Sequence, residues 1–319
     1  MTLPVSSQQL KSRRRWFQYS LRTLLILTTV MAALFAWWSH KARQQRQAIA
    51  AVVDAGGYVI YDFVSQELYQ PQYWPTWLVR SVGVDYFASA EYLSWHPFYP
   101  NVPGTRPLSD DDLKHVARLV TLRTIDLDFT PLTDAGLVHL QALTALEELL
   151  LPGTKVSDAG LAHLAGLTGL KSLELSETEV TGAGLKRLRG LTNLRVLHLR
   201  NTPITDAGLE TLQNFRALQD LDVALTQVTD VICEQIADLK SLQELDLCGT
   251  GVTDRGLPHL KRLSALTKLD LSNTKVTDAG LVHLENLAAL KELRIYNMKV
   301  TAAGLSRLKR ALPNCNIEP

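Results

Sequence analysis

Hydrophobic and polar positions follow a 24-residue pattern through the C-terminal two thirds of the chain. Four near-identical phrases, TDAGL or SDAGL, begin at Thr133, Ser157, Thr205 and Thr277, whose numbers differ by multiples of 24. Weaker copies fill the gaps, so residues 108–299 form eight consecutive units without insertion or deletion, followed by a half-unit that reaches the end of the sequence. Self-similarity at this period predicts a solenoid of stacked units.

Each unit contains two hydrophobic patterns. One is LxxLxL, as in Leu146, Leu149 and Leu151, and its alternation of apolar and variable residues predicts a short strand with one buried face. In the other half, leucines three residues apart, such as Leu137 and Leu140, suit the inward stripe of a short helix. Because the strand and helix of one unit cannot bury both faces alone, neighbouring units must stack around one continuous core.

The combined pattern, LxxLxLxxTxVTDAGLxHLxxL, resembles leucine-rich repeats of the short bacterial kind that is related to the cysteine-containing subclass. The resemblance covers residues 108–319 and implies an α/β right-handed solenoid with a parallel concave sheet and convex helices. Where the family often has Asn or Cys after the strand, this chain has a column of threonines that Met298 breaks. We expect their hydroxyls to bond to buried backbone of the turn. The column contains Thr130, Thr154, Thr178, Thr202, Thr226, Thr250 and Thr274.

The recurring Ser/Thr-Asp-Ala-Gly phrase predicts the start of each helix. The hydroxyl supplies an N-cap, the following Asp places a negative charge near the positive end of the helix dipole, and the Gly allows close approach between units. One unit departs from this pattern, with Ile232 in the Gly column and Cys233 in a Leu column, and the next unit adds Pro258. We therefore expect residues 230–260 to be the least regular part of the solenoid.

An uncharged stretch from Thr23 to Trp38 predicts a transmembrane helix over residues 21–40, preceded by a basic tail over residues 1–20. At ~1.5 Å per residue, such a helix matches the ~30 Å core of a bilayer. A cleaved signal peptide is the alternative, since a basic start and an apolar run are common to both. Five bases precede the span and three follow it, which favours a cytoplasmic N-terminus and an extracytoplasmic repeat domain.

The stretches RRRWFQYSLRTLL and RQQRQAIAAVVDAGGYVIYDF on either side of the span resemble the N-terminal arrangement of membrane-anchored leucine-rich-repeat proteins from planctomycete-type bacteria. The resemblance implies a single-pass protein with its repeats at the C-terminal end. It transfers no biochemical activity.

Residues 41–107 are predicted to form a helix plus an aromatic-rich capping region. Lys41 to Ala55 is typical of a helix closed by Gly56-Gly57, and YVIYDF is typical of a short strand. Residues 58–99 hold 13 of the 22 aromatic residues of the chain. The aromatics either cover the open end of the first repeat, or form a platform for sugars or peptides, with Tyr73, Trp74 and Trp77 as its candidate centre.

Charge and motif content narrow the possible functions. Residues 1–50 contain eight Lys or Arg and no acid, which leaves 25 bases against 32 acids, or −7, in the remainder. This acidity argues against a nucleic-acid partner. The sequence has no GxSxG, HExxH, phosphate-binding loop or CxxC motif, and its three cysteines make no disulfide framework. We therefore expect no enzymatic activity and no catalytic, cofactor or metal site.

The outward positions of the predicted strands supply the candidate binding site. Acids concentrate in repeats five to seven, and the alternatives are a solvated acidic surface or a docking site for a basic protein segment or a cation. The candidate partner-binding residues are Asp220, Asp222, Glu244, Asp246 and Asp270, with His198, Arg200, Arg294 and Tyr296 on the flanks.

The favoured function is that of a membrane-anchored protein that displays a concave surface for protein–protein interaction. The alternatives are a structural spacer of the cell envelope, or a substrate adaptor or enzyme. We expect a protein or peptide partner, which could be basic, and a membrane contact through residues 21–40. We expect no nucleic-acid partner, and the sequence does not indicate the oligomeric state.

Overall fold

The computed structural model describes residues 7–61, 89–95 and 107–319, and describes side chains from residue 21 onward. The described residues divide into two compact units, one within residues 7–47 and the other within residues 48–61, 89–95 and 107–319. The second unit contains all of the repeats. Tyr73, Trp74 and Trp77, the candidate aromatic platform, lie outside the described residues.

The chain begins with one continuous helix, Ser7–Asp54. Its apolar side chains are exposed in the predicted span; for example, Leu25 is 67% exposed and Phe35 is 64% exposed. The segment Leu21–Asp54 is long and apolar enough to cross a membrane, although a signal sequence satisfies the same criterion. Because the apolar window is not buried, this part of the helix is not packed in a protein core.

The helix ends where the two glycines predict. Gly56 adopts φ = 96°, in the left-handed region, and the Gly57 N–H donates to Val52 O at 2.8 Å. This left-handed glycine and the returning hydrogen bond satisfy carbonyls that the last helical turn leaves free. The predicted strand follows directly, at Tyr58–Tyr61.

In the described residues, eleven strands form one sheet in chain order. The first two strands pair antiparallel, and from the second strand onward all pairs are parallel. From Thr124 to the last strand each residue pairs with the residue 24 positions later, as in Thr124↔Glu148, so the sequence period is the strand register. The strands are β1 Tyr58–Tyr61, β2 Ala90–Ser94, β3 Thr124–Asp126, β4 Glu148–Leu150, β5 Ser172–Glu174, β6 Val196–His198, β7 Asp220–Asp222, β8 Glu244–Asp246, β9 Lys268–Asp270, β10 Glu292–Arg294 and β11 Asn316–Glu318.

A layer of short helices lies opposite the sheet in each repeat. The predicted leucine columns are fully buried, as Leu137, Leu140 and Leu149 illustrate, and one apolar core runs through the whole unit. The α-helices are Leu113–Val116, Asp134–Leu137, Asp158–Leu161, Gly182–Leu185, Asp230–Ile236, Leu257–Leu260, Asp278–Leu281 and Ala302–Ala311. The 3-10 helices are Asp110–Asp112, Lys186–Leu188, Leu209–Asn214 and Val282–Leu284.

The threonine column behaves as predicted. Each hydroxyl donates to the carbonyl three residues earlier, as Thr130 Oγ1 does to Leu127 O at 2.7 Å, and all seven side chains are buried. These bonds satisfy backbone carbonyls at the end of each strand. An unpaired buried carbonyl there would cost roughly 1–3 kcal/mol.

The aspartates of the recurring phrase connect one repeat to the next. The Asp134 carboxylate accepts hydrogen bonds from the Ser157 N–H at 2.8 Å and the Ser157 hydroxyl at 2.6 Å. We call this pair of bonds the carboxylate clamp. It forms at seven repeat junctions, between Asp110 and Thr133, Asp134 and Ser157, Asp158 and Thr181, Asp206 and Thr229, Asp230 and Thr253, Asp254 and Thr277, and Asp278 and Thr301.

The clamp also explains the glycine column. A Cβ placed on Gly136 would lie 2.7 Å from Asp110 Oδ1, and one on Gly160 would overlap Asp134 Oδ1. A side chain at Gly136 or Gly160 would therefore press on the carboxylate of the preceding repeat. The column does not demand glycine everywhere, since Ile232 stands in it and the clamp between Asp206 and Thr229 is still formed. The Asp and the Gly of the recurring phrase are complementary parts of one contact between neighbouring repeats.

The expectation that residues 230–260 would be the least regular part is confirmed only in part: one helix there has seven residues instead of four, and the next begins at Leu257, three residues after Asp254. Ile232 and Cys233 are fully buried within the seven-residue helix Asp230–Ile236. Pro258 lies in the first turn of its helix, where no intrahelical N–H bond is lost. The strongest departure is instead at Gly182, which stands in the Asp column and forms no clamp, and in the following repeat, whose helix is the 3-10 helix Leu209–Asn214.

The start of the repeat unit is covered by β1, β2 and the last turns of the N-terminal helix. Trp95 is 4% exposed, and its Nε1 donates to Ala55 O at 3.2 Å. Ala48, Ile49 and Val52 belong to the same core as the repeats. The described part of the aromatic region therefore covers the first repeat.

We expect Asp254→Ala to lower the free energy of unfolding by about 1–3 kcal/mol, because it leaves the Thr277 N–H and hydroxyl without their acceptor. Chemical denaturation of the detergent-solubilised full chain measures the change. Asp238→Ala is the matched control, since that side chain is 69% exposed and forms surface ion pairs worth about 1 kcal/mol or less. Equal effects of the two substitutions would contradict a stabilising clamp.

Candidate functional site

The outward side of strands β6–β10, which we call the acidic face, carries most of the predicted site. The middle residue of each strand is buried and the two flanking residues point outward. A shallow depression of about 210 Å³ lies on this face. It is lined by His198, Asp220, Asp222, Glu244, Leu245, Asp246, Lys268, Leu269, Asp270, Glu292 and Arg294.

Three aspartates occupy the same position on neighbouring strands of the acidic face. Asp222 pairs in register with Asp246, and Asp246 with Asp270. In each, Oδ1 accepts the backbone N–H two residues later, at 2.7–2.8 Å. One carboxylate oxygen per residue therefore holds the turn after the strand, and all three residues line the depression.

The second carboxylate oxygens are poorly compensated. Within the described residues, Asp222 Oδ2 and Asp270 Oδ2 have no ion-pair partner, and Asp246 Oδ2 lies 3.5 Å from Arg200 Nη1. Burial and the neighbouring charges of Asp222 and Asp270 raise the pKa of Asp246 to about 6. Burial also raises the pKa of Asp222. The raised pKa values show that a full set of negative charges is unfavourable here.

His198 bridges two acids at one end of the acidic face. Its Nδ1 lies 2.7 Å from Glu174 Oε2 and its Nε2 lies 3.2 Å from Asp220 Oδ2. Burial lowers the pKa of the imidazole, but the hydrogen bonds to Asp220 and Glu174 outweigh it and raise the pKa to about 10. His198 is therefore a cation at neutral pH and donates from both ring nitrogens.

Lysine and arginine pairs neutralise other acids. Lys268 Nζ lies 2.8 Å from Glu244 Oε1, and Arg294 Nη2 lies 2.5 Å from Glu292 Oε1. Arg294 Nε also contacts Glu318 Oε2 at 3.3 Å. Within the described residues, these pairs leave Asp222 and Asp270 without an ion-pair partner, and Asp246 with only the 3.5 Å contact to Arg200.

One group on the acidic face has the spacing of metal ligands. Ligand atoms of Asp246, Cys248 and Asp270 all lie within 4.8 Å of one another. Burial raises the pKa of the Cys248 thiol, so the thiolate that would bind a metal or act as a nucleophile is disfavoured at neutral pH. The arrangement as a whole suits electrostatic binding of a cationic group better than covalent chemistry.

The structure brings together seven of the nine predicted site residues. Arg200 and Tyr296 do not line the depression; Arg200 approaches it through Asp246, and the Tyr296 hydroxyl donates to Glu318 Oε2 at 2.8 Å. The set of predicted site residues omitted the ion-pair partners Glu174, Lys268 and Glu292. The 24-residue period could have indicated them, because residues 24 apart stand side by side, as Glu174 and His198 do.

Comparisons with known proteins agree with the repeat architecture. A family model described as Leucine Rich repeat matches residues 190–212 and 258–284. Internalin C2 from Listeria monocytogenes is 28% identical to this chain over 68% of it and 87% of its own chain, with a TM-score of 0.50.

Two further solved structures are similar at lower identity. An LRR protein from Leptospira interrogans is 20% identical, covering 67% of this chain and 58% of its own, with a TM-score of 0.50. Another internalin from Listeria monocytogenes is 20% identical, covering 64% and 63%, with a TM-score of 0.49. The match thus spans less than two thirds of either protein. A search of curated proteins finds no match to this chain.

We expect His198 to stabilise the protein in a pH-dependent way. Because its folded pKa of about 10 lies above the unfolded value of ~6.5, its contribution is fully present below pH 6.5 and is lost as the pH rises through 10. The free energy of unfolding of His198→Gln should fall below that of the native chain by about 1–3 kcal/mol at pH 6 and by much less at pH 10.5. A difference that does not change with pH would contradict a protonated His198.

Proposed function

This chain is a leucine-rich-repeat protein, and we propose that it is a membrane-anchored binding protein whose acidic face docks a basic segment of a partner protein. The observation that carries the proposal is the row of three aspartates on adjacent strands, all of which line the depression. A cationic side chain placed among Asp222, Asp246 and Asp270 would meet the charge that the ion pairs of the face leave uncompensated.

Electrostatics favour such a ligand. Adjacent like charges on neighbouring strands cost roughly 0.2–1 kcal/mol per pair, and a bound cation removes that cost. A cation about 4 Å from one carboxylate gains about 4 kcal/mol at the effective dielectric constant of a protein surface. His198 at one end of the row and Arg294 at the other would limit the docked charge to the central strands.

The proposal includes no catalytic step and no cofactor. Leucine-rich-repeat solenoids present extended surfaces for binding, and the acidic face offers charge and shape without an activated nucleophile. Specificity would come from the side chains around the row, and the rate of association would depend on salt.

A second candidate function is that of a structural spacer of the cell envelope. The observation that favours it is the internal ion pairing of the acidic face: Glu174, Asp220, Glu244 and Glu292 are all matched by cations of the same sheet. On this alternative the aspartate row serves only to hold the turns after the strands.

Membrane attachment is part of the same proposal. Residues 21–40 would span the cytoplasmic membrane as an uncleaved anchor, with the N-terminus in the cytoplasm and the repeats outside. The exposed apolar side chains of this stretch support the span, and the excess of Lys and Arg before it supports the orientation.

A triple variant should no longer select basic peptides. It carries Asp222→Asn, Asp246→Asn and Asp270→Asn. Peptides selected from a random displayed library on the native full chain are expected to be enriched in Lys and Arg. They should bind more weakly as salt concentration rises, because screening weakens the attraction. The triple variant should retain its fold, since each Asn can still accept the backbone N–H through Oδ1.

The matched control also removes three negative charges, but at other positions of the repeat unit. It carries Asp111→Asn, Glu234→Gln and Asp238→Asn. These side chains are exposed and lie outside the acidic face. The control should bind the selected peptides as the native chain does. Enrichment of peptides without basic residues, or equal binding by both triple variants, would leave the spacer as the better account.

The topology can be tested with protease added to spheroplasts of the native cell. The full-length chain should remain in the membrane pellet after carbonate extraction, and the protease should remove the repeat domain without lysis. A repeat domain protected until the membrane is broken would reverse the orientation. Recovery of a soluble chain that lacks residues 21–40 would instead identify a cleaved signal peptide.

A further inference from the structure

We propose that the solenoid contains a built-in hinge at the contact between the repeats of Gly182 and Thr205, which we call the Gly182 junction. The hinge would open on the helix side and pivot on the sheet side. It would let the acidic face on β6–β10 change its angle relative to the strands before it. This inference concerns the mechanics of the repeat unit and does not depend on what the acidic face binds.

The Gly182 junction lacks the two hydrogen bonds of the carboxylate clamp. Gly182 has no carboxylate to accept the Thr205 N–H and hydroxyl, whereas the preceding and following junctions are closed by Asp158 and Asp206. Among the eight junctions between residues 110 and 301, this is the one without a clamp.

A third hydrogen bond is missing at the same place. The residue two positions before the Ser or Thr of a clamp normally donates its backbone N–H to the preceding repeat. Glu179 N donates to Val156 O in this way, and Gln227 N donates to Ile204 O, both at 2.9 Å. The equivalent residue here is Pro203, which has no N–H. Pro131 removes the same bond at the first junction, but Asp110 clamps that junction.

Backbone contact and one exposed ion pair, Lys186 Nζ to Glu210 Oε1 at 2.9 Å, replace these bonds. Exposed pairs of this kind contribute little to stability. Ala207 O lies in the space that a Cβ on Gly182 would occupy, and Gly208 adopts φ = 94° directly against Gly182. The repeat after the junction forms the 3-10 helix Leu209–Asn214. Contact between two glycines is less directional than three hydrogen bonds, so the junction resists sliding and opening less than its neighbours do.

The sheet side of the junction remains fully bonded. Leu175 N donates to His198 O at 2.9 Å, Glu177 N donates to Arg200 O at 2.8 Å, and the Glu174 carboxylate bonds to the His198 ring at 2.7 Å. Opening therefore costs least on the helix side. The β5–β6 pair is the axis about which the two parts of the unit would turn.

Buried thiols can report the opening of individual junctions. Cys233 Sγ lies 3.0 Å from the Cβ position of Gly256 in the next repeat, so its alkylation requires the clamped junction between Asp230 and Thr253 to open. Leu185 is the equivalent residue at the Gly182 junction, and Leu257 is the equivalent residue at the junction between Asp254 and Thr277. All three side chains are fully buried.

The experiment measures alkylation of Leu185→Cys and Leu257→Cys in separate full-length chains, peptide by peptide by mass spectrometry, with native Cys233 as the internal reference. Three absent hydrogen bonds predict labelling at position 185 on the order of 100-fold faster than at 257 or 233. Pro203→Gln restores the missing N–H and should slow labelling at position 185 by a factor on the order of five.

Leu209→Cys separates a hinge from melting of the 3-10 helix. Residue 209 takes the corresponding position in the next repeat, whose far side is clamped by Asp206 and Thr229. Fast labelling at 185 with slow labelling at 209 supports the hinge. Fast labelling at both positions means that the repeat itself unfolds, and slow labelling at both means that the junction is as firm as the others; either result overturns the proposal.

Discussion

The bridge from an aspartate of one repeat to the backbone and hydroxyl of the next is the interaction on which the repeat unit depends. Burial of the leucine side chains stabilises each repeat. It does not determine the position of one repeat relative to the next, because apolar contacts are not directional. The carboxylate clamp is directional, and it accepts an N–H and an O–H from a single residue of the neighbouring repeat. The glycine opposite it makes room for the carboxylate. The recurring phrase therefore encodes the spacing between repeats rather than the structure of one repeat.

Aspartate serves two different purposes on the two sides of the same solenoid. On the helix side both carboxylate oxygens have donors, and the hydrogen bonds from Thr301 lower the pKa of Asp278. On the sheet side one oxygen holds a turn and the residue lines the depression, and burial beside two like charges raises the pKa of Asp246. The first arrangement stabilises the fold. The second is unfavourable in the unliganded protein, and for that reason it is the better candidate for recognition of a partner.

Much of the fold could be predicted from the sequence because the period fixes the strand register. Once residues 24 apart are known to be neighbours, the buried columns, the threonine hydrogen bonds and the strand positions of Asp222, Asp246 and Asp270 follow. The location of the depression could therefore be predicted from the sequence. The period also makes Glu174 a neighbour of His198, but the contact of His198 with Asp220 runs diagonally between strands and depends on the side-chain rotamer.

The clamp and its absence at Gly182 were harder to foresee. An Asp after a helix cap already has an adequate local explanation in the helix dipole, so nothing in one repeat indicates that its carboxylate reaches the next repeat. Ile232 is a bulky residue in a glycine column, yet it is buried in an uninterrupted helix. Gly182 adds no side chain that could clash. The carboxylate that it lacks nevertheless changes the contact between repeats more than the side chain of Ile232 does.

Residue-resolved hydrogen exchange of backbone amides in the full chain tests the central claim most directly. The account predicts slow exchange for the amides that donate to a clamp, at Thr133, Ser157, Thr181, Thr229, Thr253, Thr277 and Thr301, and fast exchange at Thr205, which has no carboxylate opposite it. The same exchange rate at Thr205 as at the other seven positions would show that the carboxylate clamp is not what joins the repeats.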